Sequence, residues 1–121
     1  MSSTLRVTNV SDTTGGTSTN LMSGLAKAWS NLNGTGTIAE RDSFNISGYV
    51  DNGTGHYTFT ISNDMANANY TGSSSGDNNA GTAPFPKEGT SLSAGSFETL
   101  HFASVAYDPT YANIQIFGDL A

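Results

Sequence analysis

Alternating apolar and polar residues between Asp42 and Ser62 give the clearest structural pattern in the chain. Every second residue is apolar or glycine in one run, "FNISGYV" (44–50), and every second residue is apolar in another, "YTFTI" (57–61). Because side chains alternate between the two faces of a strand, each run predicts a strand with one buried face. The segment between them, "DNGTG" (51–55), contains Asn-Gly, a pair that tolerates the positive φ of tight turns. We predict an antiparallel hairpin whose core residues are Phe44, Ile46, Phe59 and Ile61.

The N-terminal segment has a different pattern. A short β-prone piece, "LRVTNV" (5–10), is followed by "SDTTGGTSTN" (11–20), which is polar, contains two glycines and has no apolar anchor. We therefore expect residues 1–19 to form an extended arm that does not pack on its own domain, and residues 20–121 to form one β-sandwich domain.

The segment "LMSGLAKAWSNLNG" (21–34) fits two structures. Its apolar residues lie near helical spacing, but Gly24 interrupts them and Asn and Ser follow. The alternative is a turn leading into a strand from Ala26 to Asn33. We favour the strand, because the "NGTGT" that begins at Asn33 is typical of a hairpin connection.

The second half of the chain predicts one long loop and two further strands. The loop, "GSSSGDNNAGTAPFPKEGTSLSAGS" (72–96), is polar apart from Phe85 and a few small or apolar residues, and loops of this length are usually functional or mobile. Strands are predicted for "FETLHFASVAY" (97–107) and "ANIQIFGDL" (112–120), with an Asp-Pro turn between them. The predicted fold class is all-β: an antiparallel β-sandwich or jelly-roll-like domain with an extended N-terminal arm.

Composition and charge exclude several partners. Charged residues make up 12% of the chain, about half the usual share, and the formal net charge is −6. The four scattered cations, Arg6, Lys27, Arg41 and Lys87, are too few to neutralise a phosphate backbone, so we expect no nucleic-acid partner. The chain has no cysteine and hence no disulfide. It has no apolar run of membrane-spanning length and no signal peptide after Met1, so we expect no membrane insertion.

Catalytic chemistry is poorly represented. The only imidazole bases are His56 and His101, and no Gly-x-Ser-x-Gly nucleophile elbow occurs. Glu40, Asp42 and Asp51 stand at predicted strand ends, where acids cap turns, and a sandwich of this size rarely forms the deep cleft that a glycosidase needs. We expect no enzymatic activity and no cofactor.

A calcium loop is the nearest approach to a metal site. The segment "DNNAGTAPFPKE" (77–88) places oxygen-bearing residues at offsets that resemble such a loop. Thr82, however, occupies the position that requires glycine, and two prolines interrupt the segment. We expect no metal site.

Aromatic residues near predicted turns are candidate receptor contacts, because exposed rings can stack on sugar faces or on another protein. The alternative is ordinary packing at the edge of the core. These candidates are Tyr57, Phe85, Tyr107 and Tyr111.

A group of apolar residues directly after the arm is a candidate oligomer interface. It has no partner in the hairpin pattern, and exposed apolar patches usually mark interfaces. The alternative is that Trp29 completes the core of the monomer. The group consists of Leu21, Met22, Leu25 and Trp29.

The block from Ala26 to Thr71 resembles a module that recurs in virion proteins of tailed bacteriophages, often labelled tail fibre and common in marine phages. The matching motifs are "KAW" (27–29), "GTGTI" (34–38), "DSFNIS" (42–47) and "DNGTG" (51–55). Leu32 departs from the pattern, which more often has Phe there. The start, "STLRVTNVSDTTGG" (3–16), and the ending, "IFGDLA" (116–121), also resemble such proteins, whereas residues 72–110 are not covered.

This resemblance implies a non-enzymatic structural protein of a phage particle, a homotrimer that contributes to attachment to host-surface polysaccharide. It brings no catalytic residues, and the three-fold symmetry comes from the resemblance alone. It leaves two locations open. One is a tail appendage. The other is the capsid, where a decoration or head-fibre protein would hold other virion proteins through residues 1–19.

Overall fold

Two antiparallel β-sheets account for most of the structure, a computed structural model that describes residues 2–11, 18–77, 85–87 and 92–121. Both sheets contribute to one hydrophobic core, which confirms the predicted all-β sandwich. Within the described ranges no helix is long and apolar enough to cross a membrane. The elements are β1 (Asn9–Ser11), β2 (Ser18–Asn20), α1 (Leu21–Gly24), β3 (Ala28–Asn33), β4 (Ala39–Phe44), β5 (Ile46–Gly53), β6 (His56–Ile61), β7 (Thr71–Ser75), β8 (Ser96–Leu100) and β9 (Ala112–Phe117).

Strand order separates the chain into a four-stranded sheet, β4-β3-β9-β7, and a three-stranded sheet, β5-β6-β8. Strands β1 and β2 pair only with each other. Part of the predicted extended arm is therefore a short hairpin. Residues 2–9 are all exposed, and residues 12–17 lie outside the described ranges.

The core lies between the inward faces of the two sheets. Phe59 of β6 and Phe97 of β8 stack with ring centroids 5.1 Å apart. Burying a side chain of this size stabilises a fold by roughly 1.5–3 kcal/mol, so a few such residues hold the sheets together. The four-stranded sheet contributes Ala28, Leu32, Ile114 and Ile116 to this core, and the three-stranded sheet contributes Tyr57, Phe59, Ile61 and Phe97.

A single residue, Asn45, carries the chain from one sheet to the other. Its φ is 57°, a left-handed conformation that Asn tolerates better than most residues. Its side-chain amide donates to the carbonyls of Lys27 (2.9 Å) and Asn63 (3.1 Å), and its side-chain oxygen accepts from the Asn63 backbone N–H at 2.7 Å. The side chain thus joins the start of β3 to the end of β6.

The predicted hairpin is present as β5 and β6, but its first strand starts later than predicted. Ile46 pairs with Ile61, and Phe59 and Ile61 are buried as predicted. Ile46 is half-buried and packs against the core. The prediction for Phe44 is wrong, because Phe44 is 53% exposed and lies in β4 of the other sheet. The turn at Asn45 ends β4 directly after Phe44, so Phe44 is not part of β5.

The hairpin turn packs tightly against the segment that follows β8. Gly53 pairs with His56, which leaves Thr54 and Gly55 as the turn. The φ of Gly55 is +70°, and a Cβ there would lie 2.5 Å from the carbonyl oxygens of His101 and Tyr107. Only glycine fits this position.

Of three further sequence predictions, one is confirmed and two are wrong in part. The strand favoured near Ala26–Asn33 is confirmed as β3. The predicted loop 72–96 is wrong at its beginning, because β7 pairs with β9 there, and residues 78–84 and 88–91 of that loop lie outside the described ranges. The predicted strand 97–107 ends at Leu100, where the chain leaves the sheet to contact the hairpin turn.

Candidate functional site

The outward face of the four-stranded sheet carries two rows of side chains that run across the strands. Since Ala28, Ser30 and Leu32 of β3 point into the core, Trp29 and Asn31 point outward. Trp29 pairs with Phe44 of β4 on one side and with Gln115 of β9 on the other. Gln115 in turn pairs with Ser73 of β7. The first row is therefore Phe44, Trp29, Gln115 and Ser73.

The second row lies two residues further along each strand pair. Asn31 pairs with Asp42 of β4 and with Asn113 of β9, and Asn113 pairs with Ser75 of β7. This row contains two amides, one hydroxyl and one carboxylate. A continuous polar strip thus lies beside the aromatic pair at one end of the first row.

A groove of about 550 Å³ opens between these side chains. Its described lining carries no charged side chain. Antiparallel sheets commonly leave one face to solvent, and concave surfaces are the common location of ligand sites. The residues that line it are Trp29, Ser30, Asn31, Ser73, Ser74, Ser75, Asn113, Ile114 and Gln115.

Hydrogen bonds hold part of this surface in place and leave part of it available. The Gln115 side-chain amide donates to Ser73 Oγ at 3.0 Å. Arg41 Nη1 donates to Asn31 Oδ1 at 3.3 Å and to the Thr110 carbonyl. The Asn113 side chain has no hydrogen-bond partner within the part of the chain that the structure describes. This amide is free to bind a ligand.

Tyr111 lies at the border of the second row, directly before β9. The guanidinium carbon of Arg41 stands 4.3 Å from the centroid of its ring, a cation–π contact. The ring is exposed, as a receptor contact requires.

The aromatic end of the first row faces solvent. Trp29 is 36% exposed and Phe44 is 53% exposed. The alternative that Trp29 completes the monomer core is wrong, because its side chain points to the outward face of the sheet. Trp29 and Phe44 offer apolar surface, whereas Asn31, Asn113 and Gln115 offer groups that both donate and accept hydrogen bonds. This combination can stack and hydrogen-bond at the same time.

The other members of the candidate oligomer interface precede Trp29 in the chain. Met22 and Leu25 are 52% and 48% exposed, whereas the Leu21 side chain lies outside the described part of the chain. Lys27 is buried, and its amine donates to the carbonyls of Leu25 (2.9 Å) and Met22. These bonds hold α1 and the residues after it close to the start of β3, two residues from Trp29.

The prediction of Tyr57 as a receptor contact is wrong. Its side chain is 0% exposed, because β6 points it into the core together with Phe59. Its hydroxyl donates to Asp108 Oδ1 at 3.1 Å. Burial, followed by the nearby Asp108 carboxylate, raises the pKa of Tyr57 well above its ordinary value.

Phe85 and Tyr107 are half-buried and take part in packing. Phe85 contacts Phe97 edge-on, with centroids 5.4 Å apart, and Tyr107 contacts His101 edge-on at 6.5 Å. Contacts within the domain therefore bury much of the surface of both rings. Of the four predicted receptor contacts, Tyr111 is the most available.

The two histidines have different environments. His101 is almost fully buried against Tyr57, and its Nδ1 has no hydrogen-bond partner in the described residues. Burial lowers the pKa of His101 to about 4, although the Asp77 carboxylate acts in the opposite direction. His56 lies on the outward face of the three-stranded sheet, with Nε2 2.6 Å from Glu98 Oε2. Neither histidine lines the groove.

Sequence reasoning did not find the groove. Its aromatic and amide residues occur at every second position in "WSNLN" (29–33) and "NIQI" (113–116), and this alternation is the signal that identifies one outward face per strand. The alignment of these strands into rows depends on strand order and register, which are properties of the folded chain. The chain matches no protein-family model, no curated protein and no solved structure.

Proposed function

We propose that this chain is a non-enzymatic structural protein of a tailed-bacteriophage particle, of the tail-fibre or appendage type, that contributes to attachment to polysaccharide on the host surface. The observation that carries this proposal is the uncharged groove on the four-stranded sheet, whose side chains are suited to binding rather than to bond cleavage. The resemblance of Ala26–Thr71 to tailed-phage virion modules supplies the biological setting.

The proposed protein is a homotrimer that associates through its arm and α1. Leu5 and Val7 are exposed in the arm, and Met22 and Leu25 are exposed beside it. A monomer would leave these apolar residues in water, whereas an assembly with closed symmetry would bury them without leaving a sticky surface. Trp29 lines the groove, so its assignment to the oligomer interface stays a prediction.

Light scattering tests the assembly. We expect a mass three times the 12.5 kDa of the chain, and we expect the double variant Met22→Ser, Leu25→Ser to shift it to the monomer. Val105→Ser is a matched control, because Val105 is also exposed but lies after β8, away from the proposed interface. A wild-type protein that is a stable monomer at micromolar concentration would contradict the trimer.

A second candidate is a capsid decoration or head-fibre protein that holds the shell through its N-terminal arm. This candidate is favoured by the exposure of residues 2–9, which leaves the arm available to another virion protein. The groove would then be exposed on the capsid instead of on the tail.

Electron microscopy of intact particles with gold-labelled antibodies distinguishes the two candidates. Label at the tail supports the appendage, and label over the head supports decoration. Particles that carry no label, together with protein found only in infected cells, would contradict both. Host-envelope polysaccharide incubated with the pure protein should keep its chain length, because we propose no hydrolytic activity.

A further inference from the structure

We propose that the groove on the four-stranded sheet binds a neutral polysaccharide, which lies across the strands with one sugar ring against Trp29. The inference rests on the proposed attachment function and names its ligand class and its binding face. The supporting observation is the arrangement of the two rows. Aromatic side chains lie at one end of the first row, and amides and hydroxyls lie next to them along and beside that row.

The size of the surface fits a short stretch of a glycan chain. Four strands spaced about 4.8 Å apart make each row roughly 14 Å wide. The two rows are separated by two residues along each strand, about 7 Å. A polysaccharide that crosses the strands would therefore contact both rows over a few consecutive sugar units.

The hydrogen-bonding groups match sugar hydroxyls. A hydroxyl both donates and accepts, and so does each side-chain amide of Asn31, Asn113 and Gln115. Gln115 uses one N–H on Ser73, and Asn113 has no partner among the described residues. An apolar partner laid over these amides would leave them buried and unsatisfied, which is costly. A ligand rich in hydroxyls avoids this cost.

The aromatic end supplies the complementary apolar contact. One face of a pyranose ring consists largely of C–H groups, and such a face packs against an aromatic ring. Trp29 and Phe44 are adjacent across β3 and β4, and both are exposed. A sugar ring seated there would keep its hydroxyls directed toward Gln115 and Asn31, the neighbours of Trp29 in the two rows.

The charge of the groove and of the whole protein favours a neutral polymer over an acidic one. The described lining of the groove is uncharged, and the exposed Asp42 stands at its border. The nearest cation, Arg41, is engaged by Asn31, the Thr110 carbonyl and the Tyr111 ring. With a net charge of −6, the protein as a whole repels a polyanion. The ligand that fits is therefore uncharged.

Affinity electrophoresis tests the proposal with defined probes. The wild-type chain is run in native gels that contain dextran, yeast mannan or galactomannan, and in a parallel gel that contains polygalacturonate as the acidic polymer. We expect at least one neutral polymer to retard the protein and polygalacturonate to leave its mobility unchanged. Retardation by polygalacturonate alone, or by none of the polymers, would overturn the proposal.

Variants locate the binding surface. Trp29→Ala should weaken the retarding interaction at least ten-fold, and Asn113→Ala should weaken it several-fold. Trp29→Phe should restore part of it, because an aromatic ring remains. Thr60→Ala is the control, since Thr60 is exposed on the opposite sheet. Circular dichroism verifies folding, and Asn113→Ala keeps the test decisive if Trp29→Ala does not fold.

The same variants distinguish a glycan site from an interface between copies. If Trp29→Ala dissociates the assembly in light scattering and leaves polymer binding unchanged, the face is a copy interface and the proposal is wrong. If polymer binding depends on Trp29 but antibodies find no protein on the particle, the groove stands and the virion function fails. Labelled particles, together with no polymer binding by the groove, would support the virion function and overturn the groove proposal.

Discussion

The two outward faces of the sandwich differ in chemistry although the same core lies beneath both. The four-stranded sheet exposes aromatic rings and amides around an uncharged groove. The three-stranded sheet carries the exposed Val50 and Thr60 and the half-buried His56–Glu98 pair on its outward face. The apolar half of each alternating pattern serves the fold in the same way in both sheets. The polar half is not required for the fold, and there the sheets differ.

The largest effect should come from the shared core. Phe59→Ala should lower the free energy of unfolding by about 3–5 kcal/mol, because Phe59 is fully buried and stacks on Phe97. The loss should affect both faces together, since the core supports both sheets. Urea unfolding measures it, with Thr60→Ala, the outward neighbour, expected to stay within about 0.5 kcal/mol of wild type. A loss below 1 kcal/mol for Phe59→Ala would show that Phe59 is not in the core.

Acid should remove stability through His101 while the groove itself does not titrate. The folded-state pKa is about 4, and the unfolded value is the ordinary 6.5. Below pH 6.5 the unfolded chain gains a proton that the folded chain excludes, so stability falls by about 1.4 kcal/mol per pH unit at most, down to about pH 4. Urea unfolding at several pH values measures this slope.

The variant His101→Phe should flatten the slope between pH 6.5 and about 4, because it removes the buried imidazole. Polymer binding by the wild type should stay constant over the range in which the protein remains folded. An unchanged slope in His101→Phe would show that another group controls the acid sensitivity.

The link between the two sheets should have an intermediate effect. Asn45→Ala removes the side-chain hydrogen bonds to Lys27 and Asn63. It also leaves at positive φ an alanine, whose side chain cannot make hydrogen bonds that would offset the strain. We expect a loss of about 2–3 kcal/mol in unfolding free energy. Asn45→Gly keeps the backbone conformation and should lose less. Equal losses would mean that the hydrogen bonds alone matter.

The smallest effect should come from the outward face of the three-stranded sheet. Glu98→Gln keeps the shape of the side chain and can keep a hydrogen bond to His56 Nε2, which lies 2.6 Å from Glu98 Oε2 in this half-buried pair. The free energy of unfolding should therefore change by less than about 1 kcal/mol. Polymer binding should be unaffected. A binding loss as large as that of Trp29→Ala would contradict the difference between the two faces.

Sequence alternation predicted some strand faces correctly and failed where a strand was interrupted. Tyr57, Phe59 and Ile61 were placed on one face, and all three are buried. In β5 the register shifts between Ile46 and Gly48, so Tyr49 packs against the core and Val50 is exposed. A count of every second residue assumes an unbroken strand, and one extra residue reverses all later positions.

The groove could not be predicted because its rows combine distant segments. Trp29 and Gln115 are neighbours only after β3 pairs with β9, and Ser73 joins them only because β7 is a strand. The sequence of β7, "TGSSS" (71–75), has low β-propensity and was interpreted as part of a loop. Pairing with β9 overrides that local preference.

The placement of the groove amides also determines how the protein ages chemically. Asn deamidates when the next backbone nitrogen attacks its side chain, a step that a flexible following glycine favours. Asn31 and Asn113 are followed by large apolar residues inside paired strands, so the binding face should keep its amides. Of the two Asn-Gly pairs, the glycine of Asn33–Gly34 is buried, whereas Asn52–Gly53 is exposed in the three-stranded sheet. Protein stored for months should gain its first new negative charge there, on the sheet that does not carry the groove.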